Sequence, residues 1–431
     1  MLYTNLNVNE KGHLTIGGVD AVALAKEYGT PLYVMDKDRV RENCRAYRTA
    51  MEKYFGNDCL PFYASKALCF TDICRLAAEE GMGLDVVSSG ELCTAQKAGF
   101  PMERIGFHGN NKTDEDITLG ISLGVGHFVA DAAEEIDVIE REAEKAGIIQ
   151  KVLLRVTPGI DPHTHAKIAT GMVDSKFGAA IETGAAMELT KKLLRCPHIS
   201  LEGFHCHVGS QIFEASPFIS AVDIMVDFIS QVADETGYIA RVLNLGGGFG
   251  VRYTEDDPHM NLEKFIHMVA DHLDSKRKEY NLPRLTIFME PGRSIVADAG
   301  ITLYTVGTVK KIPGYKNYVS VDGGMADNPR FALYEAKYTV INAENADRKA
   351  DLVCTVAGRC CESGDIIGED MLIAEPKRGE ILAVLTTGAY NFSMASGYNR
   401  LCRPAIVWVE KGESKVAVRR ESLADLLEKD L

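Results

Sequence analysis

Between Leu60 and Met289, short apolar runs alternate with helix-like stretches, and this alternation limits the possible folds more than any other feature of the chain. The strand candidates are Leu60–Ser65, Gly83–Val87, Arg104–Phe107, His127–Ala130, Lys151–Val156, Leu201–His207, Val242–Leu245 and Leu285–Met289. Helical patterns lie between them, clearest at Glu91–Ala98, Thr113–Leu123, Ala132–Ala146, Gly184–Leu194, Ala221–Glu235 and Leu262–Glu279. Strands that alternate with helices call for a parallel sheet covered by those helices. About eight such units in roughly 230 residues match the repeat number and length of a (β/α)8 TIM barrel. A doubly wound open sheet is the structural alternative, but it needs fewer strands or a reversal of strand order.

After Arg293 the pattern changes. Thr302–Lys310, Asn317–Val321, Ala336–Asn342, Leu352–Val356, Ile366–Ile373, Glu380–Leu385, Ala405–Val409 and Lys415–Arg419 are short β-like runs separated by turn residues, and a short acidic helix, Leu423–Glu428, follows. This predicts an all-β sandwich or barrel. Near the start, Leu14–Ile16 and Thr30–Asp36 read as strands, with a short helix around Asp20–Tyr28 and an amphipathic helix over Asp38–Tyr54. The expected organisation is an N-terminal segment, 1–36, joining the β domain, a TIM barrel over 37–293, and a C-terminal β domain over 294–431.

Charge and cysteine usage narrow the partners. With 47 basic and 61 acidic residues the chain carries a net charge of −14, which argues against a nucleic-acid surface and against an anionic membrane. No apolar run reaches the ~18 residues of a membrane span, and the first residues lack the charged and apolar regions of a signal peptide. Eleven cysteines, an odd number, are scattered without metal-type spacing, which predicts a reduced cytoplasmic protein.

Chemistry in a TIM barrel sits at the carboxyl ends of the strands, and the polar clusters of this chain map there. Lys66 ends the first strand, Asp85 the second, Arg155 the fifth, His205–His207 the sixth, Gly246–Gly250 the seventh and Glu290–Arg293 the eighth. Lys66 is flanked by apolar residues; desolvation would expose a neutral amine able to form a Schiff base with a carbonyl, or the side chain could snorkel to the surface. The bare backbone of GGGFG can cradle a phosphate, with Ser210 offering a hydroxyl, although a glycine turn can equally be a plain loop. His205 and His207, two apart, suit half of a metal site, a ring stacked on an aromatic cofactor, or two hydrogen-bonded core histidines. Glu290 could pair with Arg293 or keep a ring nitrogen protonated. Cys361-Glu362, in a turn-rich loop, is either inert or a thiol acid–base beside a carboxylate. A lysine amine, a phosphate nest, a stacking imidazole and a carboxylate for a ring nitrogen together meet the requirements of pyridoxal phosphate.

These motifs resemble the fold-type III pyridoxal-phosphate decarboxylases, and within them the diaminopimelate branch, over nearly the whole chain. The resemblance rests on YASKAL around Lys66, the HTH…TG…DSKFG stretch (His163–Gly178), GFHCHVGSQ (Gly203–Gln211), LGGGFG (Leu245–Gly250) and MEPGR (Met289–Arg293). It continues through DGGMADNPRFALYEA (Asp322–Ala336), CESGD (Cys361–Asp365) and TGAYNFSMAS (Thr387–Ser396). The resemblance implies that Lys66 carries the cofactor, that His207 stacks on its ring and that Glu290 pairs with its nitrogen. Ser210, Gly247, Gly248, Gly292, Arg293 and Tyr390 would bind the cofactor, mostly at its phosphate. Arg293, Arg330 and Tyr334, with Tyr390, would bind the far end of meso-diaminopimelate. Glu362 and Cys361 would come from the partner subunit of a homodimer, binding the far amino group and protonating the carbanion. No metal is implied. Phe331, Gly397 and Arg359-Cys360 depart from the family pattern and bear on loop geometry and substrate affinity. The rival readings are a sister decarboxylase acting on carboxynorspermidine, arginine or a D-amino acid, a non-catalytic binding protein, and a barrel metallohydrolase using His205 and His207.

Overall fold

The computed structural model describes residues 2–160 and 175–431, so residues 163–174 of the stretch His163–Gly178 lie outside the described residues. The chain divides into two compact units. One comprises Cys44–Gly250 and His259–Gly292, and the other Met1–Asn43, Val251–Pro258 and Arg293–Leu431.

The first unit is a closed barrel of eight parallel strands. In order they are Cys59–Ala64, Gly83–Val86, Ile105–Phe107, His127–Ala130, Gln150–Thr157, Ile199–His205, Val242–Asn244 and Thr286–Met289. Each pairs with the next, and the ring closes where Ile287, Phe288 and Met289 stand opposite Cys59, Leu60 and Pro61. The open-sheet alternative is thereby excluded. Phe62, Val129, Leu153, Val242 and Phe288 form one packed cluster, with the Phe62 and Phe288 rings 5.0 Å apart. Two such rings fit only where a neighbour gives way: a Cβ on Gly83 would stand 2.7 Å from the Phe62 ring. The helices between strands are amphipathic, so each buries one stripe. Ala133–Ala146, for example, buries Ile136, Ile139 and Ala143. Asp114–Leu123 starts at a Thr113/Asp116 capping box and stops at Gly124, whose left-handed φ of 75° favours glycine.

Ser216–Thr236 is, by length and mean hydropathy, apolar enough to cross a membrane, although Asp223 and Asp227 interrupt its apolar run. Its composition has a barrel explanation. Phe218, Val222, Met225, Ile229 and Val232 are buried, Phe218 packs edge-on against Phe265 of Leu262–Glu279 at 5.1 Å, and Asp223 pairs with His272 at 2.8 Å.

The second unit is built from antiparallel and mixed strands. Its main sheet runs in the order Ile366–Ile373, Leu352–Ala357, Asn317–Val321, Gly300–Lys311, Leu32–Asp36, Ala405–Glu410 and Glu413–Val418. The long strand Gly300–Lys311 changes partners along its length. Its first half pairs with Leu32–Asp36 and Ile381–Leu385, its second with Asn317–Val321 after a register shift between Val306 and Val309. A strand shared in this way lets one ribbon serve both layers of a β-sandwich. The core holds Leu6, Leu14, Ile16, Val34, Ile301, Leu303, Leu385 and Val407, so the N-terminal segment is part of it. Of the expected strand Ala336–Asn342 only Val340–Asn342 ladders, and Arg330–Tyr334 is a one-turn helix.

Candidate active site

The carboxyl ends of the barrel strands gather the polar residues. Lys66 follows the first strand in the short 3₁₀ turn Ser65–Ala67; its neighbours are buried but Lys66 itself is exposed. The chain alone therefore does not supply the desolvation that its flanking residues suggest. Lys66 acts electrostatically on Asp85, Glu91 and His207, which places its amine over the same mouth. Pro291 accepts a hydrogen bond from Ala64 N–H at 3.1 Å, and a Cβ on Gly292 would meet Ala64 Cβ at 2.9 Å, so the first and eighth strand exits touch.

Below the mouth lies a buried acid–imidazole cluster centred on Glu290. Asn244 Nδ2 donates to Oε1 at 2.6 Å, His108 Nε2 lies 3.0 Å from Oε1, and His205 Nε2 lies 3.2 Å from Oε2. Burial alone would raise the Glu290 carboxyl, but the two imidazoles hold it well below the usual carboxylate range. Burial likewise opposes a charge on His108, yet Asp85 and Glu290 raise its affinity for a proton. Burial takes His205 down to about 4 and pushes Asp85 up to about 7, Glu290 adding to the latter while His108 and Lys66 oppose it. The ligand atoms of His108, His205 and Glu290 all lie within 4.8 Å of one another, the spacing of a metal trio, but each is already spent in this cluster.

The sixth strand ends at His205, so the alternation that would put His207 on the same strand face does not extend to it. His207 Nδ1 accepts from Gly247 N–H at 3.2 Å, and burial pushes the ring well below the usual histidine range. A ring held neutral at Nδ1 is pre-set to lie flat against an aromatic group. Among the described residues the metal-type grouping is His108, His205 and Glu290 and leaves out His207, so the pairing of His205 with His207 at a metal gains no support. The glycine loop has no room for side chains: a Cβ on Gly247 would stand 2.1 Å from Glu290 O, and one on Gly248 would stand 2.3 Å from Gly209 O. Ile212 and Phe249 bridge this loop to the segment that carries Ser210.

In the β unit, Arg293 and Arg330 are both buried among tyrosines. Arg293 Nη1 donates to Tyr253 Oη at 2.7 Å, and its guanidinium lies 4.8 Å from the Tyr390 ring centre. Arg330 Nη1 donates to Tyr338 Oη at 2.8 Å and lies 5.0 Å from the Tyr253 ring centre. Among the described residues Arg330 meets phenols and no carboxylate, which leaves an arrangement that calls for an anion. Tyr334 is half-buried on the same turn as Arg330 and takes no part in these contacts; Tyr338 stands there instead. Cys361 and Glu362 are exposed on a tight turn. Buried Asp365 holds that turn, accepting from Cys360 N–H at 2.6 Å and Met325 N–H at 2.5 Å, while Asn399 Oδ1 accepts from Cys361 N–H at 2.8 Å.

Residues 37–297 match the model of the pyridoxal-dependent decarboxylase family, pyridoxal binding domain. Over 98% of its length the chain is 45% identical to a diaminopimelate decarboxylase of Bacillus subtilis, covering 96% of it. It is 44% identical to that of Staphylococcus aureus, covering 98% of each. This chain belongs to the diaminopimelate decarboxylase family. The crystal structure of the M. jannaschii diaminopimelate decarboxylase in co-complex with L-lysine superposes with a TM-score of 0.91 at 36% identity, over 99% of this chain and 98% of that one. The family's cofactor is pyridoxal phosphate, and the residues present fit it. An amine stands at the mouth, a side-chain-free loop can admit an anion, and a buried carboxylate is kept ionised.

Reading the sequence alone overlooked His108, Asn244, Tyr253 and Tyr338. His108 follows the third strand directly, so the strand-end rule that found Asp85 could have found it. Tyr253 carried no comparable signal, since nothing local relates it to Arg293 or Arg330.

Proposed function

We propose that this chain decarboxylates meso-2,6-diaminopimelate at its D-centre, giving L-lysine and carbon dioxide, the last step of lysine biosynthesis. The similarity over nearly the whole chain to proteins named diaminopimelate decarboxylase carries this reading. Lys66 would hold pyridoxal phosphate, and the cofactor would supply a sink for the electron pair that departing carbon dioxide leaves on the α-carbon. Ser210, Gly247, Gly248, the backbone around Gly292 and Tyr390 would hold its phosphate, His207 would lie on its ring and Glu290 would face the ring nitrogen. The depressed titration of Glu290 supports that role, because an ionised carboxylate keeps a neighbouring ring nitrogen protonated.

Arg330 and Arg293, with Tyr334 and Tyr390, would clamp the carboxylate of the substrate's L-end. The buried guanidiniums and their phenol partners support this. Glu362 would take the far ammonium, and the Cys361 thiol would return a proton to the α-carbon. Both are exposed on a turn fixed from behind by Asp365, which suits residues offered to a second copy of the chain. We therefore infer a homodimer whose active sites take Cys361 and Glu362 from the partner. Eleven free thiols support a reduced, cytoplasmic setting.

Purified protein supplied with pyridoxal phosphate and meso-diaminopimelate should release L-lysine and carbon dioxide one for one. Turnover of arginine, carboxynorspermidine or a D-amino acid with no lysine formed would move the assignment to a sister decarboxylase.

A further inference from the structure

A carboxylate offers about four acceptor positions, two on each oxygen. In Glu290, Oε1 is used twice, by Asn244 Nδ2 at 2.6 Å and His108 Nε2 at 3.0 Å, and Oε2 once, by His205 Nε2 at 3.2 Å. Among the described residues one acceptor position is left, on Oε2. The three donors stand at three different strand ends, just past the third and at the last residues of the sixth and seventh. They are themselves held. The His108 and His205 rings meet edge to face at 5.0 Å, and Asn244 Oδ1 accepts from Gly246 N–H at 2.9 Å. All four residues are buried. The carboxylate cannot turn about its last torsion without giving up these hydrogen bonds.

We propose that His108, together with Asn244, is a positioning residue for the decarboxylation: the pair saturates Oε1 of Glu290 and so reserves the last acceptor position, on Oε2, for the ring nitrogen of the cofactor. This rests on the reading that Glu290 faces that nitrogen. The charged and titratable groups around the cluster include Asp85, whose Oδ1 lies 3.7 Å from His108 Nε2, Asp131, Arg155, Lys66, Cys206 and His207.

The test measures binding, by cofactor-free protein, of pyridoxal phosphate and of the analogue with carbon in place of the ring nitrogen. His108→Ala is expected to weaken binding of pyridoxal phosphate about tenfold and to leave the analogue's affinity unchanged. His108→Gln, which keeps an N–H donor, should recover most of the loss. Equal weakening of both ligands, or no change in either, overturns the proposal. Asn244→Ala should give the same pattern and decides the matter if His108→Ala does not fold. Glu290→Gln separates the two readings. If it leaves the ratio of the two affinities at the wild-type value, Glu290 does not meet the ring nitrogen and the underlying reading fails. If it collapses that ratio while His108→Ala and Asn244→Ala preserve it, only the positioning role falls. In turnover, His108→Ala should lower kcat with little change in KM.

Discussion

Three side chains carry separable parts of the chemistry, and each can be removed alone. Lys66→Ala should abolish the absorbance of the lysine-bound cofactor and cut turnover by at least about a thousandfold, a spectrum and a lysine assay giving the two readouts. Cys361→Ala should keep that absorbance and slow turnover by about 10²–10⁴-fold, the usual worth of a positioned proton donor. Normal turnover in this variant would take the thiol out of the mechanism. Asp85 is a different case, because its carboxyl is pushed up to about 7, first by burial. A group whose folded-state value lies above its unfolded value stabilises the fold while protonated, and that contribution is lost as pH rises through 7. Asp85→Asn stays neutral throughout. It should therefore gain stability relative to the wild type between about pH 5 and 8, by about 1–2 kcal/mol, in denaturant melts at the two pH values. A difference that shrinks with rising pH would mean that the Asp85 carboxyl is not raised in the folded protein.

The elements matter through how closely their backbones approach. The loop after the seventh strand runs so near the eighth strand exit that a Cβ on Gly247 would sit 2.1 Å from Glu290 O. Backbone cannot yield as a side-chain tip can. Gly247→Ala should therefore cost about 2–3 kcal/mol of stability and weaken cofactor binding at least tenfold, checked by thermal melts and by titration with pyridoxal phosphate. Gly83 lies 2.7 Å, at its would-be Cβ, from the Phe62 ring in the barrel core. Gly83→Ala overpacks that layer by one methyl, and the expected loss is about 1–3 kcal/mol with cofactor affinity nearly unchanged. The contrast between the two variants separates barrel packing from the phosphate loop.

Assembly is the property that belongs to the whole molecule. Cys361 and Glu362 face outward on their turn while Lys66 stands at the barrel mouth. If each active site takes residues from two chains, inactive Lys66→Ala and Cys361→Ala proteins should rescue one another when mixed. Random reassortment places an intact Lys66 opposite an intact Cys361 at one site of each mixed dimer, so about a quarter of wild-type activity should return. No rescue after exchange, with mixed dimers present by mass, would confine each site to a single chain.

Much of this was legible in residue order. Apolar runs and helical stripes are local patterns, and eight of them in a row leave a closed parallel barrel as the arrangement that buries every strand on both faces. Strand ends are equally local, and they located Lys66, the glycine loop and Glu290. The partners of those residues were not local. Glu290 meets Asn244 and His205 across 46 and 85 residues of chain, and Arg293 meets Tyr253 across 40. Tyr334, one helical turn from Arg330 in sequence, stays outside that cluster while Tyr338 enters it. Which of two nearby phenols reaches a guanidinium, and which imidazoles share a carboxylate, depends on where ring closure and packing leave the backbone. Periodicity assigns a residue to a face, and only tertiary packing, which must satisfy each buried polar group at hydrogen-bond distance, selects its partner.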